Sequence, residues 1–238
     1  MLADIGTTEP VCPHCSSPFP KMPARKTRCP SCNNFVFSRT RPSDRRKVLL
    51  REDDLECLEE QWSIANGTHD EFVKQRQRRS STREILQQQF GKPPSDYDVA
   101  WRLLNEDSIK HAGAGNWGLY RNTRFSMGES LRAEGRLKEA LLMYLEVCYL
   151  DLNGPRNRGG IENYPELATE FPPFDSKDAF LAPGVLERCR KLAATLQLTP
   201  DDLRGHFQKA AESHHRNLPL PIDPQSAWQQ FTENRPRD

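Results

Sequence analysis

The chain has 238 residues, 36% apolar and 28% charged, with 19 prolines; that length fits one ordinary domain plus a small appendage, and so lean an apolar fraction favours loosely packed helices over one dense core. The formal charge of +1 conceals segregation: ten Lys and Arg face three carboxylates up to Arg51, followed by an acidic run from Glu52 to Glu60 and a basic one from Lys74 to Arg83. No apolar run approaches the ~20 residues of a membrane span, and the N-terminus lacks the basic start of a leader, so a cytoplasmic protein without a membrane partner is expected.

Near the start, Cys12-Pro13-His14-Cys15 and Cys29-Pro30-Ser31-Cys32 place two Cys-x-x-Cys pairs thirteen residues apart. Each pair forms a tight turn that presents two sulfurs to one ion, and the segment between is long enough to bring the pairs face to face. Proline stiffens each turn by fixing φ. A residue tolerant of positive φ is expected after each second cysteine, with Asn33 or Asn34 the better candidates and Ser16 or Ser17 the weaker ones. Phe35-Val36-Phe37 reads as a short strand beside the first knuckle. His14, between two ligands, is expected to face away from the metal.

These residues resemble the zinc-ribbon families, whose rubredoxin-type knuckles run Cys-Pro-x-Cys-Gly. The resemblance covers Pro10 to Ser38 and lacks both knuckle glycines. It implies a small β ribbon with one structural Zn²⁺ on Cys12, Cys15, Cys29 and Cys32. Four sulfurs accept iron as well, and four protein ligands leave no open position for a substrate water. A redox dithiol would need a βαβ setting that the sequence does not show. Cys57, Cys148 and Cys189 are expected to be buried thiols in a reducing compartment.

Arg25, Lys26 and Arg28 precede the second knuckle, and Arg39, Arg41, Arg45, Arg46 and Lys47 follow it. Such a cluster can neutralise several phosphates, making nucleic acid a candidate partner. The plainer alternative is a solvated face, or pairing with the acidic stretch. No aromatic residue is interleaved among these arginines as a stacking group.

Leu55, Leu58 and Trp62 recur at helical spacing, predicting a helix over Glu52–Ala65 closed by Asn66-Gly67. Thr68 and Glu71 form a capping-box pattern for a helix running to Phe90. Within it Arg76, Arg79 and Arg83 form one stripe, exposed or facing something acidic. Pro93-Pro94 breaks the chain, and Ser95 with Asp98 caps a helix that ends at Gly113-Ala114-Gly115. Asn116 opens another, carrying Trp117, Tyr120, Arg124, Met127 and Leu131 and ending near Gly135. The next carries Leu137, Ala140, Leu141, Tyr144, Leu145 and Cys148 and stops near Asn153-Gly154-Pro155.

Met127-Gly128, Leu131, Gly135, Ala140 and Tyr144 resemble a tetratricopeptide repeat, in which small residues let two antiparallel helices approach. Arg124 stands where a tryptophan is usual, and no second copy occurs at a period of about 34. A hairpin that simply packs the core is the other reading, and both give a helical scaffold from Asn116 to Leu152. From 153 to 183 the chain is rich in Gly, Pro and aromatics. Tyr164, Phe171, Phe174 and Phe180 are expected to pin this loop across the helices. Leu186, Cys189, Ala193 and Leu196 form one further helix face. Thr199, Pro200 and Asp202 open the next helix, ending at His214-His215, and a last helix holds Trp228 and Phe231. His206, His214 and His215 are weak grounds for a second metal site, which is rejected.

The expected class is mainly α: a small β zinc ribbon over 1–40, a charged linker with helices over 41–94, and an all-α, tetratricopeptide-like body over 95–238. No phosphate-binding, nucleophile-elbow or zinc-protease motif occurs. The chain therefore reads as a non-enzymatic adaptor, its basic ribbon contacting nucleic acid and its body a protein, with no small-molecule substrate evident. A purely protein-binding scaffold is the alternative; an enzyme with its site in the 153–183 loop is a remoter one.

Overall fold

The computed structural model describes residues 4–158 and 170–233. The protein is mainly helical, with a three-stranded antiparallel sheet near the N-terminus followed by eight α-helices among the described residues. It divides into two compact units, Met1–Ser81 and Thr82–Asp238.

The sheet of the first unit runs in the order β1 (Thr27–Arg28), β2 (Phe35–Thr40), β3 (Lys47–Leu50). β3 lies beyond the segment read as ribbon and pairs along β2, Phe37 opposite Leu50 and Arg39 opposite Val48. Because side chains alternate along a strand, the sheet buries two faces. Val36 and Leu49 face the cysteine knuckles, packing with Cys12, Cys29, Phe19 and Met22. Phe37, Val48 and Leu50 face helix α1 (Leu55–Ala65), meeting Leu55, Leu58 and Trp62. The Trp62 indole N–H donates to the Thr40 carbonyl oxygen at 2.9 Å. α1 thus belongs to the same core as the strands.

Helix α2 (His69–Phe90) starts where expected, but the Thr68 hydroxyl donates back to the Ser63 carbonyl oxygen at 3.4 Å. Residues 74–81 are exposed, and the arginine stripe meets carboxylates at both ends, Arg83 pairing with Asp96 at 2.5 Å. Arg76 reaches Glu60 at 3.4 Å. Cys57 corrects the sequence expectation: it lies one position off the α1 stripe and is exposed.

The second unit is built on α3 (Asp96–Gly113), α4 (Trp117–Ala133), α5 (Leu137–Leu152), α6 (Pro183–Thr195), α7 (Pro200–His215) and α8 (Pro224–Glu233). Ser95 with Asp98 and Thr199 with Asp202 form reciprocal capping boxes that start α3 and α7. α5 is the central element: every residue from Tyr144 to Leu152 is buried, and it touches α4, α6, α7 and α8. Its two internal carboxylates are neutralised by α4. Arg121 grips Asp151 with both nitrogens at 2.6 Å. Arg124 pairs with Glu146, which also meets His214 Nε2 at 2.8 Å. Arg124 therefore answers a buried charge. His215 is engaged too, its Nδ1 lying 3.1 Å from the Tyr149 hydroxyl.

Leu131, Ala140 and Tyr144 of the hairpin share one buried cluster. Met127, Gly128, Leu131, Ala140 and Tyr144 are all buried, and a Cβ on Gly128 would lie 2.8 Å from Tyr144 Cε1. Of the loop aromatics, Phe174 is buried and packs on Trp117 with ring centres 5.2 Å apart. Phe171 and Phe180 are exposed, contrary to expectation; Phe174 is held because Pro155 bridges to it and Asp175 N–H donates to the Gly154 carbonyl oxygen. Tyr164 and Gly159-Gly160 lie outside the described residues. At the C-terminal end Phe231 is buried against Phe207. Cys148 and Cys189 are buried with their sulfurs 4.0 Å apart.

Candidate metal centre

The two knuckles repeat one backbone pattern. In the first, Cys12 N–H donates to the Ser17 carbonyl oxygen and Ser16 N–H to that of Cys12. In the second, Cys29 N–H donates to the Asn34 carbonyl oxygen and Asn33 N–H to that of Cys29. The residue after each second cysteine takes the left-handed conformation, φ 60° at Ser16 and 59° at Asn33. Serine thus takes a position that glycine would fill without strain, at the modest cost of a positive φ.

Between the turns the four sulfurs converge. Cys12 and Cys32 lie 3.7 Å apart, as do Cys15 and Cys29, and all four sulfur atoms lie within 4.8 Å of one another. A tetrahedron with metal–sulfur bonds of about 2.3 Å has edges of about 3.8 Å, so the donor set fits a tetrahedral thiolate ion. Among the described residues, no other three His, Cys, Asp or Glu side chains converge in this way.

Local donors turn toward the sulfurs: the His14 N–H reaches Cys12 Sγ at 3.4 Å and Asn34 Nδ2 reaches Cys32 Sγ at 3.6 Å. The Ser17 hydroxyl and backbone hold the Cys15 thiol down at about 6. Backbone donors at Cys32 and Ser31 lower that of Cys29. Burial pushes Cys12 up to about 11, a cost that a cation among the sulfurs would reverse. The His14 imidazole faces outward, with Nε2 3.1 Å from the Phe35 carbonyl oxygen. The Arg51 guanidinium donates to the Pro13 carbonyl oxygen at 2.8 Å. The knuckle is therefore tied to β2 and to the end of β3.

The basic residues divide into two groups. Arg41 turns inward: its guanidinium grips Asp44 at 2.8 and 2.7 Å and meets Asp4 at 3.3 Å. It is structural, because the side chain is buried and its charge is already met by two carboxylates. Arg25, Lys26, Arg28, Arg39, Arg45, Arg46 and Lys47 are exposed. Four of them lie over aromatic rings. Lys26 Nζ lies 4.1 Å from the Phe35 ring centre and 4.6 Å from that of Phe37, and the Arg28 guanidinium lies 4.1 Å from Phe35. Arg39 approaches Phe37 at 5.9 Å, while Arg45 covers Trp62 at 4.6 Å. Strand register is the cause: Arg28 pairs opposite Phe35, and Phe35, Phe37 and Arg39 share one face by alternation. Sequence reading missed Phe35 because its cationic neighbours arrive through pairing, although the β-strand signal already placed it on a pleat.

In the second unit a cleft of about 300 Å³ is lined by Leu86, Phe90, Tyr97, Trp101, Arg102 and Arg136, among others. Phe90, Tyr97 and Trp101 are exposed there. No described helix is long and apolar enough to cross a membrane. Comparison of the chain with protein-family models, with curated proteins and with solved structures finds no match.

Proposed function

We propose that this chain is a non-enzymatic, zinc-binding adaptor of the cytoplasm. Its zinc ribbon holds one structural Zn²⁺ on Cys12, Cys15, Cys29 and Cys32 and contacts nucleic acid through its basic surface. Its helical body, with a tetratricopeptide-like hairpin over α4 and α5, receives a protein partner. Zinc is favoured over iron because a closed four-sulfur site in so small a unit needs a stabilising ion and no redox change. Four protein ligands leave the metal no position for substrate, so its work is to fix the two knuckles against the sheet.

The observation that carries the nucleic-acid reading is the exposed cationic surface around that centre, nine Lys and Arg against the single carboxylate of Asp44 between residues 21 and 47. Arg41 cancels Asp44 internally, so the remaining surface is almost wholly positive. The aromatic cleft beside Trp101 supports the protein-binding half, because exposed aromatic side chains lining a concave surface are what an apolar side chain of a partner can fill.

Salt separates the two halves. Titration of the intact, metal-loaded protein with nucleic acid is expected to give an affinity that falls linearly on a log–log plot against salt, with a slope proportional to the phosphates neutralised. A partner in the aromatic cleft is expected to stay bound at salt concentrations that release nucleic acid. Absence of salt-sensitive binding to any nucleic acid would remove the ribbon's assigned role.

A further inference from the structure

Phe35 stands on the sheet face that α1 covers, yet it escapes that cover. Phe37, Val48 and Leu50 are buried beneath Leu58, while Phe35, one pleat back along β2, remains 37% exposed. Two cations, the planar Arg28 and the point charge of Lys26, lie over its ring, each 4.1 Å from its centre. The Arg28 guanidinium is itself fixed, donating to the Asn33 carbonyl oxygen at 3.1 Å. Arg39 extends the positive charge along the same strand.

We infer that this face binds single-stranded nucleic acid, with a base stacked on the Phe35–Arg28 platform and the flanking phosphates on Lys26 and Arg39. The inference rests on the nucleic-acid reading above and narrows it to one substrate class. A duplex keeps its bases stacked inside and offers this surface only phosphates, for which cations alone suffice; an exposed ring adds nothing. A single strand presents both the π-face and the charge, and its recognition runs on stacking to aromatic rings and guanidinium planes. The surface matches that pair of needs at one place: the anchored Arg28 guanidinium lies over the exposed Phe35 ring as a composite plane, and Lys26 adds charge at the same ring. An acidic peptide would use the charges and leave the ring idle.

The test uses the full chain in its metal-loaded form. Fluorescence anisotropy measures binding to labelled oligothymidylate, oligouridylate and a duplex of mixed sequence, for wild type, Phe35→Ala, Phe35→Tyr and Lys26→Gln, each checked for metal content and thermal midpoint. Both single strands are expected to bind more tightly than the duplex, and the tighter of the two identifies DNA or RNA as the source. Phe35→Ala is expected to weaken single-strand binding by about 5- to 100-fold, the worth of one base–aromatic stack, with its salt slope unchanged. Phe35→Tyr keeps the ring and is expected to retain binding, which guards against a mere folding defect. Lys26→Gln is expected to shallow the slope by about 0.7, one phosphate on a single strand. Equal binding of duplex and single strand, or an unaffected Phe35→Ala, overturns the platform and leaves general nucleic-acid contact standing. Displacement of the oligonucleotide by polyglutamate as effectively as by unlabelled oligonucleotide also overturns it, in favour of an acidic protein partner. Failure of all three probes to bind at low salt sinks both the platform and the nucleic-acid reading.

Discussion

Replacing one glycine with alanine is expected to have opposite signs at two helical positions of the second unit. At Gly205, in α7, an added Cβ meets nothing within 4 Å. Gly205→Ala should therefore stabilise by about 0.5–1 kcal/mol, the helix-interior difference between the two residues. At Gly128 the same atom would sit 2.8 Å from Tyr144 Cε1, 3.1 Å from its Cδ1 and 3.2 Å from Met143 Cβ. The Tyr144 ring has nowhere to go. It is fully buried, and its hydroxyl is bound to Glu129, which Arg188 and Arg132 hold at 2.6 and 3.0 Å. Overpacking of a tight core costs about 1–3 kcal/mol; less the alanine gain of about 1, the net loss is about 0–2 kcal/mol. A ring held at both ends favours the upper half of that range. The two alanine variants should thus differ by about 2 kcal/mol, or several degrees in thermal midpoint for a unit of this size. Gly128→Leu should cost more still, by forcing α4 from α5. Urea and thermal unfolding followed by far-ultraviolet circular dichroism measure both. If Gly128→Ala proves as stabilising as Gly205→Ala, the close approach of the hairpin helices is wrong.

Two further outcomes follow from the same unit. Gly154→Ala places a Cβ 1.8 Å from the Asp175 carbonyl oxygen at a position with φ +60°; the left-handed backbone alone costs about 1–2 kcal/mol, and the displaced strap should add exposure of Phe174, read by a loss of near-ultraviolet signal. Burial opposes ionisation of Glu129, but the Arg188, Tyr144 and Arg132 hydrogen bonds outweigh it and hold the group at about 2. Its folded value lies below its unfolded one, so its contribution is complete above about pH 4.5 and is lost as pH falls toward 2. Glu129→Gln should flatten that acid limb of an unfolding series, and an unchanged limb would argue against the Arg188 pairing.

Local chemistry explains what was legible in the sequence. The knuckles are read from spacing because a tetrahedral ion imposes it, and the same turn appears twice, at Ser16 and Asn33. Helix starts at Ser95 and Thr199 are read from capping boxes that close within four residues. Non-local facts escape. Lys47–Leu50 is too short to announce a strand, and becomes one only by pairing with β2. Cys57 lies one step off a buried stripe, and that step exposes it. Arg41 resembles its basic neighbours in composition but faces Asp44 because the β2–β3 turn brings that carboxylate back to it. Phe35 acquires its cations from β1 across the sheet. Charge pairs such as Arg124–Glu146 depend on two helices meeting, which periodicity cannot supply.

Metal content combined with thiol reactivity tests the metal centre most directly. Four of the seven cysteines are assigned to one ion and two, Cys148 and Cys189, are buried, leaving Cys57 exposed on α1. Protein purified under reducing conditions is expected to carry one zinc per chain by elemental analysis and, without denaturant, to alkylate rapidly at Cys57 alone. Cys29→Ser should release the zinc and loosen the strands together with α1, which share one core, while α3 to α8 persist. A chain free of stoichiometric metal, with Cys15 and Cys32 alkylated as fast as Cys57, would contradict the four-sulfur centre and the surface organised around it.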